Sequence, residues 1–267
     1  MAMILASQVC FDYDGQSVLT GISLEIHAGE RVAILGPNGV GKTTLLKLLS
    51  GARSPSRGSI LLDGRDLRSV PRQELARKIA VVPQDFAVPF AFTAREIVEL
   101  GRTPHLGLLR GFRSNDRCAV EQAMFLTDTA DLSGRIINEL SGGERQRVII
   151  AMALAQEPEI LLVDEPTHLL DITRQAEILD LVTELNRSRG LTIVAAIHDL
   201  NLAGRYFNRL MVLHRGAVLA DGAPEDVLRA EVVEEAYGGP VEVVRTGSGR
   251  APILLPVSRY RDRVIEQ

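Results

Sequence analysis

Short apolar runs bounded by polar residues, glycine or proline recur along this chain. Three of them cover residues 32–35, 160–163 and 192–197 and are apolar at nearly every position. Runs this short, without alternation, are typical of strands buried on both faces of a parallel sheet. Segments with apolar residues at i, i+3 and i+4 lie between them. Strands that alternate with helices predict an α/β fold built on a largely parallel sheet.

Helical periodicity dominates the middle of the chain. Between about residues 85 and 155 the spacing predicts helices over 93–100, 118–125 and 143–155, and a further amphipathic helix covers 172–189. Shorter helices are predicted at 43–49, 72–78 and 224–230. The remaining strands are predicted at 5–13, 21–26, 59–62, 81–82, 210–213 and 217–219. Residues 1–240 are therefore expected to form one domain with a helical insertion at about 85–155. The tail at 241–267 carries no clear pattern.

Composition narrows the class of protein. The 267 residues are 46% hydrophobic and 24% charged, which is ordinary for a globular chain, and the net charge of −4 argues against a nucleic-acid partner. The two cysteines, Cys10 and Cys118, lack metal-ligand spacing, so reduced thiols are expected. No window is apolar for eighteen residues, and the first residues do not resemble a signal peptide. A role in transport would therefore require a separate membrane subunit.

The first candidate site follows the run at 32–35. Its residues are Gly36, Pro37, Asn38, Gly39, Val40, Gly41, Lys42 and Thr43, with Thr44 behind them. They fit the pattern G-x-x-x-x-G-K-[ST], in which backbone N–H groups surround phosphate oxygens. Lys42 would reach the β- and γ-phosphates, and the Thr43 hydroxyl would ligate Mg²⁺. A strand before the loop and a helix after it are the context that this pattern requires.

A second motif lies about a hundred residues later, at Leu140-Ser141-Gly142-Gly143-Glu144. Ser141 followed three residues later by Glu144 predicts a capping box at a helix start. A helix start presents free N–H groups and is also a place where an anion can bind. The motif is therefore compatible both with an ordinary cap and with a phosphate contact.

Two carboxylates, Asp164 and Glu165, follow the apolar run at 160–163. This position puts them at the carboxyl edge of the predicted sheet, where open α/β folds hold ligands. Phosphoryl transfer from a nucleotide needs Mg²⁺ and an oriented water. Asp164 is the candidate metal partner, and Glu165 is the candidate base for the water. Taken alone, the pair could equally cap the next helix.

The phosphate-loop pattern followed by Leu140–Glu144 resembles the ATP-binding cassette (ABC) family, the ATPase subunits of ABC transporters. The resemblance implies a P-loop NTPase sheet core, an N-terminal antiparallel β subdomain and an inserted helical subdomain that carries the signature. It implies ATP and Mg²⁺ as ligands and a head-to-tail homodimer. In that dimer Ser141, Gly142 and Gly143 of one subunit face the ATP held by the other.

Further roles follow from the same resemblance. Tyr13 matches the aromatic residue that stacks on adenine, with Phe11 as the alternative on the same strand face. Gln84 matches a glutamine that contacts Mg²⁺ and water, and His198 matches a histidine that contacts the γ-phosphate. Asp171 fits the loop that crosses to the second subunit, whereas His168 stands where the family commonly has a small polar residue.

Three details resemble the ATPases of siderophore, haem and cobalamin import: residues 100–105, 170–172 and 198–203. The resemblance implies a peripheral protein on the cytoplasmic face of the membrane, bound to a permease and served indirectly by a substrate-binding protein. An apolar patch of Val88, Pro89, Phe90 and Phe92 would contact the permease or pack in the core. Alternatives are an exporter subunit, a soluble ABC ATPase of DNA repair or translation, and a P-loop kinase.

Overall fold

The computed structural model describes residues 3–88, 90–106, 111–245 and 251–257. In chain order the strands are β1 (Ile4–Tyr13), β2 (Gln16–Ile26), β3 (Arg31–Leu35), β4 (Arg57–Leu62), β5 (Arg65–Asp66), β6 (Ile79–Val82), β7 (Ile160–Asp164), β8 (Thr192–Ala196), β9 (Arg209–His214), β10 (Ala217–Gly222), β11 (Val241–Val244) and β12 (Ile253–Pro256). The helices are α1 (Lys42–Leu49), α2 (Arg72–Lys78), α3 (Ala94–Leu100), α4 (Ser114–Leu126), α5 (Gly142–Ala155), α6 (Ile172–Arg189), α7 (Leu200–Tyr206), α8 (Pro224–Val227) and α9 (Ala230–Tyr237).

A six-stranded sheet in the order β10-β9-β3-β8-β7-β6 forms the centre of the molecule. Strands β6, β7, β8, β3 and β9 run parallel, and β10 returns antiparallel to β9. Every residue of β7 and β8 is buried. Burial on both faces explains why these strands are apolar throughout instead of alternating. The carboxyl ends of β3, β8, β7 and β6 consequently lie side by side at one edge.

A second sheet, in the order β2-β1-β4-β5, is antiparallel. Its strands alternate buried and exposed residues over much of their length because one face packs on a core and the other meets water. The buried face shares one hydrophobic cluster with α1 and with one side of the parallel sheet. The parallel core with a separate antiparallel sheet confirms the predicted fold class.

The signature region packs as its own cluster. Helices α3, α4 and α5 bury Ile97, Val98, Val120, Met124 and Val148 against one another. Val88 and Phe92 pack against this cluster, whereas Phe90 is 69% exposed. Of the predicted apolar patch, Val88 and Phe92 therefore pack against the core, and Phe90 lies on the surface. Pro89 lies outside the described residues.

The stretch at residues 100–105 joins this helical region to the rest of the protein. Buried Arg102 donates to Asp116 Oδ1 (3.0 Å), to Glu157 Oε2 (2.6 Å) and to the carbonyl of Ala155 (2.6 Å). The carbonyl of Pro104 accepts hydrogen bonds from Gln73 and Arg77 of α2. A buried guanidinium with several partners is costly to unpair, so this contact fixes α4 against the end of α5.

Five elements were not predicted from the sequence pattern: the two-residue strand β5, helices α7 and α9, and strands β11 and β12. Helix α7 begins where Asp199 accepts from the N–H groups of Asn201 and Leu202. One helix was predicted at 224–230. The structure has two helices there, α8 and α9, and α9 continues to Tyr237. Strands β11 and β12 pair antiparallel within the tail. Leu254 of β12 is buried in the same cluster as β7 and β8, so part of the tail belongs to the core.

Candidate functional site

The phosphate-loop pattern occupies the turn between β3 and α1. Gly36 has φ +141°, and a Cβ there would lie 2.5 Å from the carbonyl oxygen of Leu213. Gly41 has φ +110°, and a Cβ there would lie 2.6 Å from Leu19 Cδ2. Only glycine has the backbone freedom and lack of side chain that both positions require. The loop closes tightly because the sequence has glycine at these two points.

Lys42 begins α1 and turns back into the loop. Its Nζ donates to the carbonyls of Gly36 (2.9 Å) and Pro37 (3.3 Å), and the residue is only 5% exposed. Burial lowers the pKa of Lys42, while the charges of Glu165 and Asp164 act in the opposite direction. The structure therefore holds a buried cation in the loop, where a phosphate oxygen can replace the two carbonyls.

Next in the loop, Thr43 meets the first carboxylate after the apolar run. Its Oγ1 donates to Asp164 Oδ1 at 3.1 Å. Burial raises the pKa of Asp164, and the hydrogen bond from Thr43 opposes that shift. A hydroxyl and a carboxylate are oxygen ligands of the kind that Mg²⁺ prefers. The described residues contain no cluster of three or more His, Cys, Asp or Glu side chains suited to a metal. A magnesium ion beside Thr43 and Asp164 would take its remaining ligands from phosphate, water and the side chain of Gln84.

Glu165 lies at the centre of a cluster formed by the ends of three strands. It accepts a hydrogen bond from Gln84 Nε2 (2.9 Å), and its other oxygen pairs with His198 Nε2. Gln84 follows β6, Glu165 follows β7 and His198 follows β8. The backbone N–H of Glu165 donates to the carbonyl of Ala196 at 3.1 Å. Parallel strands thus bring together three residues that are far apart in the sequence.

The backbone of Glu165 is unusual, because φ is +49° in a residue with a side chain. Such a conformation costs free energy and persists only where the surroundings fix it. The carboxylate is 8% exposed, so it is held at the inner wall of the cleft and not in free solvent. A fixed, largely buried carboxylate beside a phosphate loop is suited to orienting a water molecule and accepting its proton.

An open cleft of about 480 Å³ connects these groups. Its lining consists of Tyr13, Val18, Asn38, Gly39, Gly41, Lys42, Thr43, Thr44, Gln84, Glu165, His168 and His198. Tyr13 is 37% exposed, and its ring meets that of Phe11 edge to face at 4.8 Å. Phe11 is buried and lines no part of the cleft, so Tyr13 is the ring available for stacking. Within the loop itself, Gly36 and Val40 are buried and Pro37 is half-buried.

The second motif lies outside this cleft. Ser141 caps α5 in a capping box: its N–H and Oγ donate to Glu144 Oε2 at 2.8 and 2.7 Å. These bonds hold the pKa of Glu144 below its usual range, so the carboxylate stays ionised. Ser141 and Gly142 are exposed, and Gly143 is buried. The chain therefore presents a capped helix start on its surface, separate from its own phosphate loop.

Asp171 likewise caps a helix, since its Oδ1 accepts from the N–H of Arg174 at 2.9 Å. The loop before it and the first residue of α6 expose large apolar side chains. Leu169 is 91% exposed and Ile172 is 80% exposed. His168 faces the cleft and donates its N–H to the carbonyl of Glu165.

Sequence reasoning missed two residues near the loop. Val18 lines the cleft, and Tyr237 of α9 contacts Gly36. Val18 lies on a strand whose pattern indicates only β structure. Tyr237 is 201 residues from Gly36 in the chain, so no local signal could connect them.

Comparison with known proteins decides the family. The family model described as "ABC transporter" matches residues 19–168, which include the phosphate loop, Ser141 and Glu165. The chain belongs to the ABC transporter family. It is an ATP-binding and ATP-hydrolysing cassette. The surface motif at Ser141 lies in the region that the family model covers.

Near-full-length relatives include proteins of Escherichia coli and Bacillus subtilis. The ferric enterobactin transport ATP-binding protein FepC of Escherichia coli is 39% identical over 259 residues, which cover 97% of this chain and 96% of FepC. The probable siderophore transport system ATP-binding protein YusV of Bacillus subtilis is 38% identical, with 98% of this chain and 95% of YusV covered.

Solved structures give the same result. A metal-chelate type ABC transporter in an inward-facing conformation matches with a TM-score of 0.85 at 27% identity, over 97% of this chain and 99% of its own. The ATP-binding cassette MJ0796, a dimer bound to ADP and Pi, matches with a TM-score of 0.72 at 32% identity, over 83% and 98%. The fold of this chain therefore matches the fold of these proteins over most of its length.

Proposed function

We propose that this chain is the energy-supplying subunit of an importer for a metal chelate such as a ferric siderophore, haem or cobalamin. The observation that carries the proposal is the near-complete coverage of siderophore transport ATPases at almost 40% identity. These relatives serve ferric enterobactin and siderophore transport, and other relatives act in hemin and cobalamin import. The metal chelate itself is the cargo and is bound elsewhere in such a transporter.

The chemistry proposed for the cleft starts from the phosphate loop. Loop N–H groups and Lys42 would bind the triphosphate, and Tyr13 would stack on the adenine. Thr43, Asp164 and Gln84 would hold Mg²⁺, which when bound neutralises charge on the phosphates. Glu165 would take the proton of the attacking water, while Gln84 and His198 hold its carboxylate in place. His198 would also meet the γ-phosphate.

A homodimer is proposed from the position of the second motif. Ser141 and Gly142 are exposed and away from the chain's own cleft, while Leu169 and Ile172 are apolar and almost fully exposed. A head-to-tail dimer would cover those apolar side chains and bring Ser141 of one subunit to the ATP of the other. Closure would then depend on ATP, because the triphosphate supplies contacts that only the closed state makes. Similarity to a dimeric cassette supports this arrangement.

The Ser141→Asp variant tests the dimer. Aspartate also caps helices, but its charge would oppose a partner's triphosphate. We expect ATP binding by the isolated subunit to stay within about twofold of the parent, and ATP-dependent dimerisation and hydrolysis to fall at least about tenfold, the effect of ~1.4 kcal/mol. Nucleotide titration, gel filtration with ATP and phosphate release measure these three quantities.

Ser141→Asn is the matched control for that variant, because it keeps a capping side chain without adding charge. It should dimerise far better than Ser141→Asp. Full hydrolysis and dimerisation by Ser141→Asp would contradict a composite site.

A membrane partner is also part of the proposal. None of the helices in the described part of the chain is both long and apolar enough to cross a lipid bilayer. A permease in the membrane would bind the helical region, where Phe90 is exposed beside Phe92 at a ring distance of 6.2 Å. The subunit would then lie on the cytoplasmic face of the membrane. A substrate-binding protein would deliver the chelate on the other side.

Affinity purification from detergent-solubilised membranes of the native cells tests this function. We expect a polytopic permease to co-purify, together with or encoded beside a chelate-binding protein. Phe90→Glu should lose the permease while still binding ATP, whereas Ile253→Glu, at an exposed position of strand β12, should retain it. Recovery of soluble partners alone, with nucleotide present, would overturn the import role and leave the ATPase activity standing.

A further inference from the structure

The C-terminal helix α9 reaches the phosphate loop. The hydroxyl of its last residue, Tyr237, accepts a hydrogen bond from the N–H of Gly36 at 2.9 Å. Helix α9 is held in place by Val233 and Ala236, which are buried in the cluster that also contains β7 and β8. The hydroxyl is therefore delivered to the loop from a fixed support. Tyr237 lies outside the phosphate loop, the Leu140–Glu144 motif and the carboxylate pair.

Gly36 is held from both sides. Its N–H is bonded to Tyr237, and its carbonyl accepts from Lys42 Nζ at 2.9 Å. When Lys42 donates to a phosphate oxygen, its hold on that carbonyl is shared or lost. The hydrogen bond to Tyr237 does not involve Lys42 and can persist. The backbone of Gly36 would then keep its position because Tyr237 still holds it.

The two ends of the loop are anchored in the same way. Within the described residues, the side chains outside the loop that hydrogen-bond to residues 36–43 are Tyr237 at Gly36 and Asp164 at Thr43. Asp164 is already assigned to the metal. Tyr237 binds the backbone of Gly36 and has no part in the proposed chemistry of hydrolysis.

The Tyr237 hydroxyl is suited to a site for a polyanion. Burial raises its pKa to about 12, despite the opposing effect of the Gly36 hydrogen bond. The hydroxyl is thus neutral at physiological pH and adds no negative charge next to the loop that would receive a triphosphate.

We propose that Tyr237 is a positioning residue for ATP binding, which fixes the first glycine of the phosphate loop and so couples helix α9 to the nucleotide site. This inference rests on the proposed role of the loop in binding ATP. Preorganisation by the hydroxyl lowers the ordering that ATP must otherwise impose on the loop, and it therefore acts on affinity more than on the chemical step.

Tyr237→Phe tests the proposal, because it removes one oxygen and keeps the ring. We expect the dissociation constant and the KM for ATP to rise about three- to tenfold, as for the loss of one neutral hydrogen bond. The kcat at saturating ATP should stay within about twofold. Hydrogen exchange in the peptide that contains Gly36 should become faster without nucleotide and slow again when ATP is bound.

Tyr206→Phe is the control, since it removes a tyrosine hydroxyl that is bonded to Asp180 on a neighbouring helix and not to the loop. It should leave the KM for ATP unchanged. An unchanged KM in Tyr237→Phe would overturn the proposal, as would a parallel fall of kcat and Tm with no change in affinity. Failure of the parent chain to bind ATP would instead overturn the proposed role of the loop.

Discussion

Replacing Glu165 with Gln is expected to slow ATP hydrolysis by about 100- to 10,000-fold, the range for the loss of a general base. The change is nearly isosteric. In the parent, Gln84 Nε2 donates to the Glu165 carboxylate at 2.9 Å, and the amide oxygen of the variant can still accept this hydrogen bond. The amide cannot accept the proton of the attacking water. Steady-state phosphate release at saturating ATP measures the loss.

The same variant should bind ATP at least as tightly as the parent. Glu165 is 8% exposed at the wall of the cleft, and its negative charge opposes the phosphates beside it. With hydrolysis blocked, the contacts that close the dimer persist, and gel filtration with ATP should show a stable dimer. Glu225→Gln, an exposed position on α8, is the control for loss of a carboxylate. Hydrolysis by Glu165→Gln at the parental rate would show that another group activates the water.

Replacing Lys42 with Ala is expected to weaken ATP binding by at least about 100-fold, the upper range for hydrogen bonds to a charged group. The ammonium is the buried cation of the loop, and its loss removes a positive charge that acts on both Asp164 and Glu165 beside a triphosphate. Titration with ATP by calorimetry measures the affinity directly.

Folding should be affected much less by this substitution. Lys42 loses two hydrogen bonds to loop carbonyls, but burial of its charge is unfavourable, as the lowered pKa indicates. Lys47→Ala is the control for loss of a lysine charge from the same helix, because Lys47 is exposed and its charge acts on Asp164 from outside the loop. Unchanged nucleotide affinity in Lys42→Ala would refute the role of the phosphate loop.

Several parts of this molecule were predictable from the sequence because their causes are local. The buried strands β3, β7 and β8 are apolar at almost every position, and each lies within one or two residues of the predicted bounds. The glycines of the loop and the Ser141–Glu144 capping box are set by backbone geometry over a few residues. Alternation of strands with helices then predicts a parallel sheet, which the structure and the relatives confirm.

Tertiary structure decided which distant groups meet. Tyr13 and Phe11 are both aromatic and near in sequence, yet only the packed fold buries one and leaves the other in the cleft. Helix α7 and strands β11 and β12 are too short for periodicity to reveal, since they are stabilised by the surface beneath them. The contact between Tyr237 and Gly36 has the same origin.

The chemistry available to this protein follows from short stretches of its sequence: a phosphate loop, two carboxylates after a buried strand and a capped helix start. The reason is that each is a short segment whose residues act on their own backbone or their neighbours. The arrangement of those groups depended on strand order. Parallel pairing of β3, β8, β7 and β6 brought Lys42, Gln84, Glu165 and His198 to one edge. That pairing reflects the burial of whole sheets, which residue spacing does not encode.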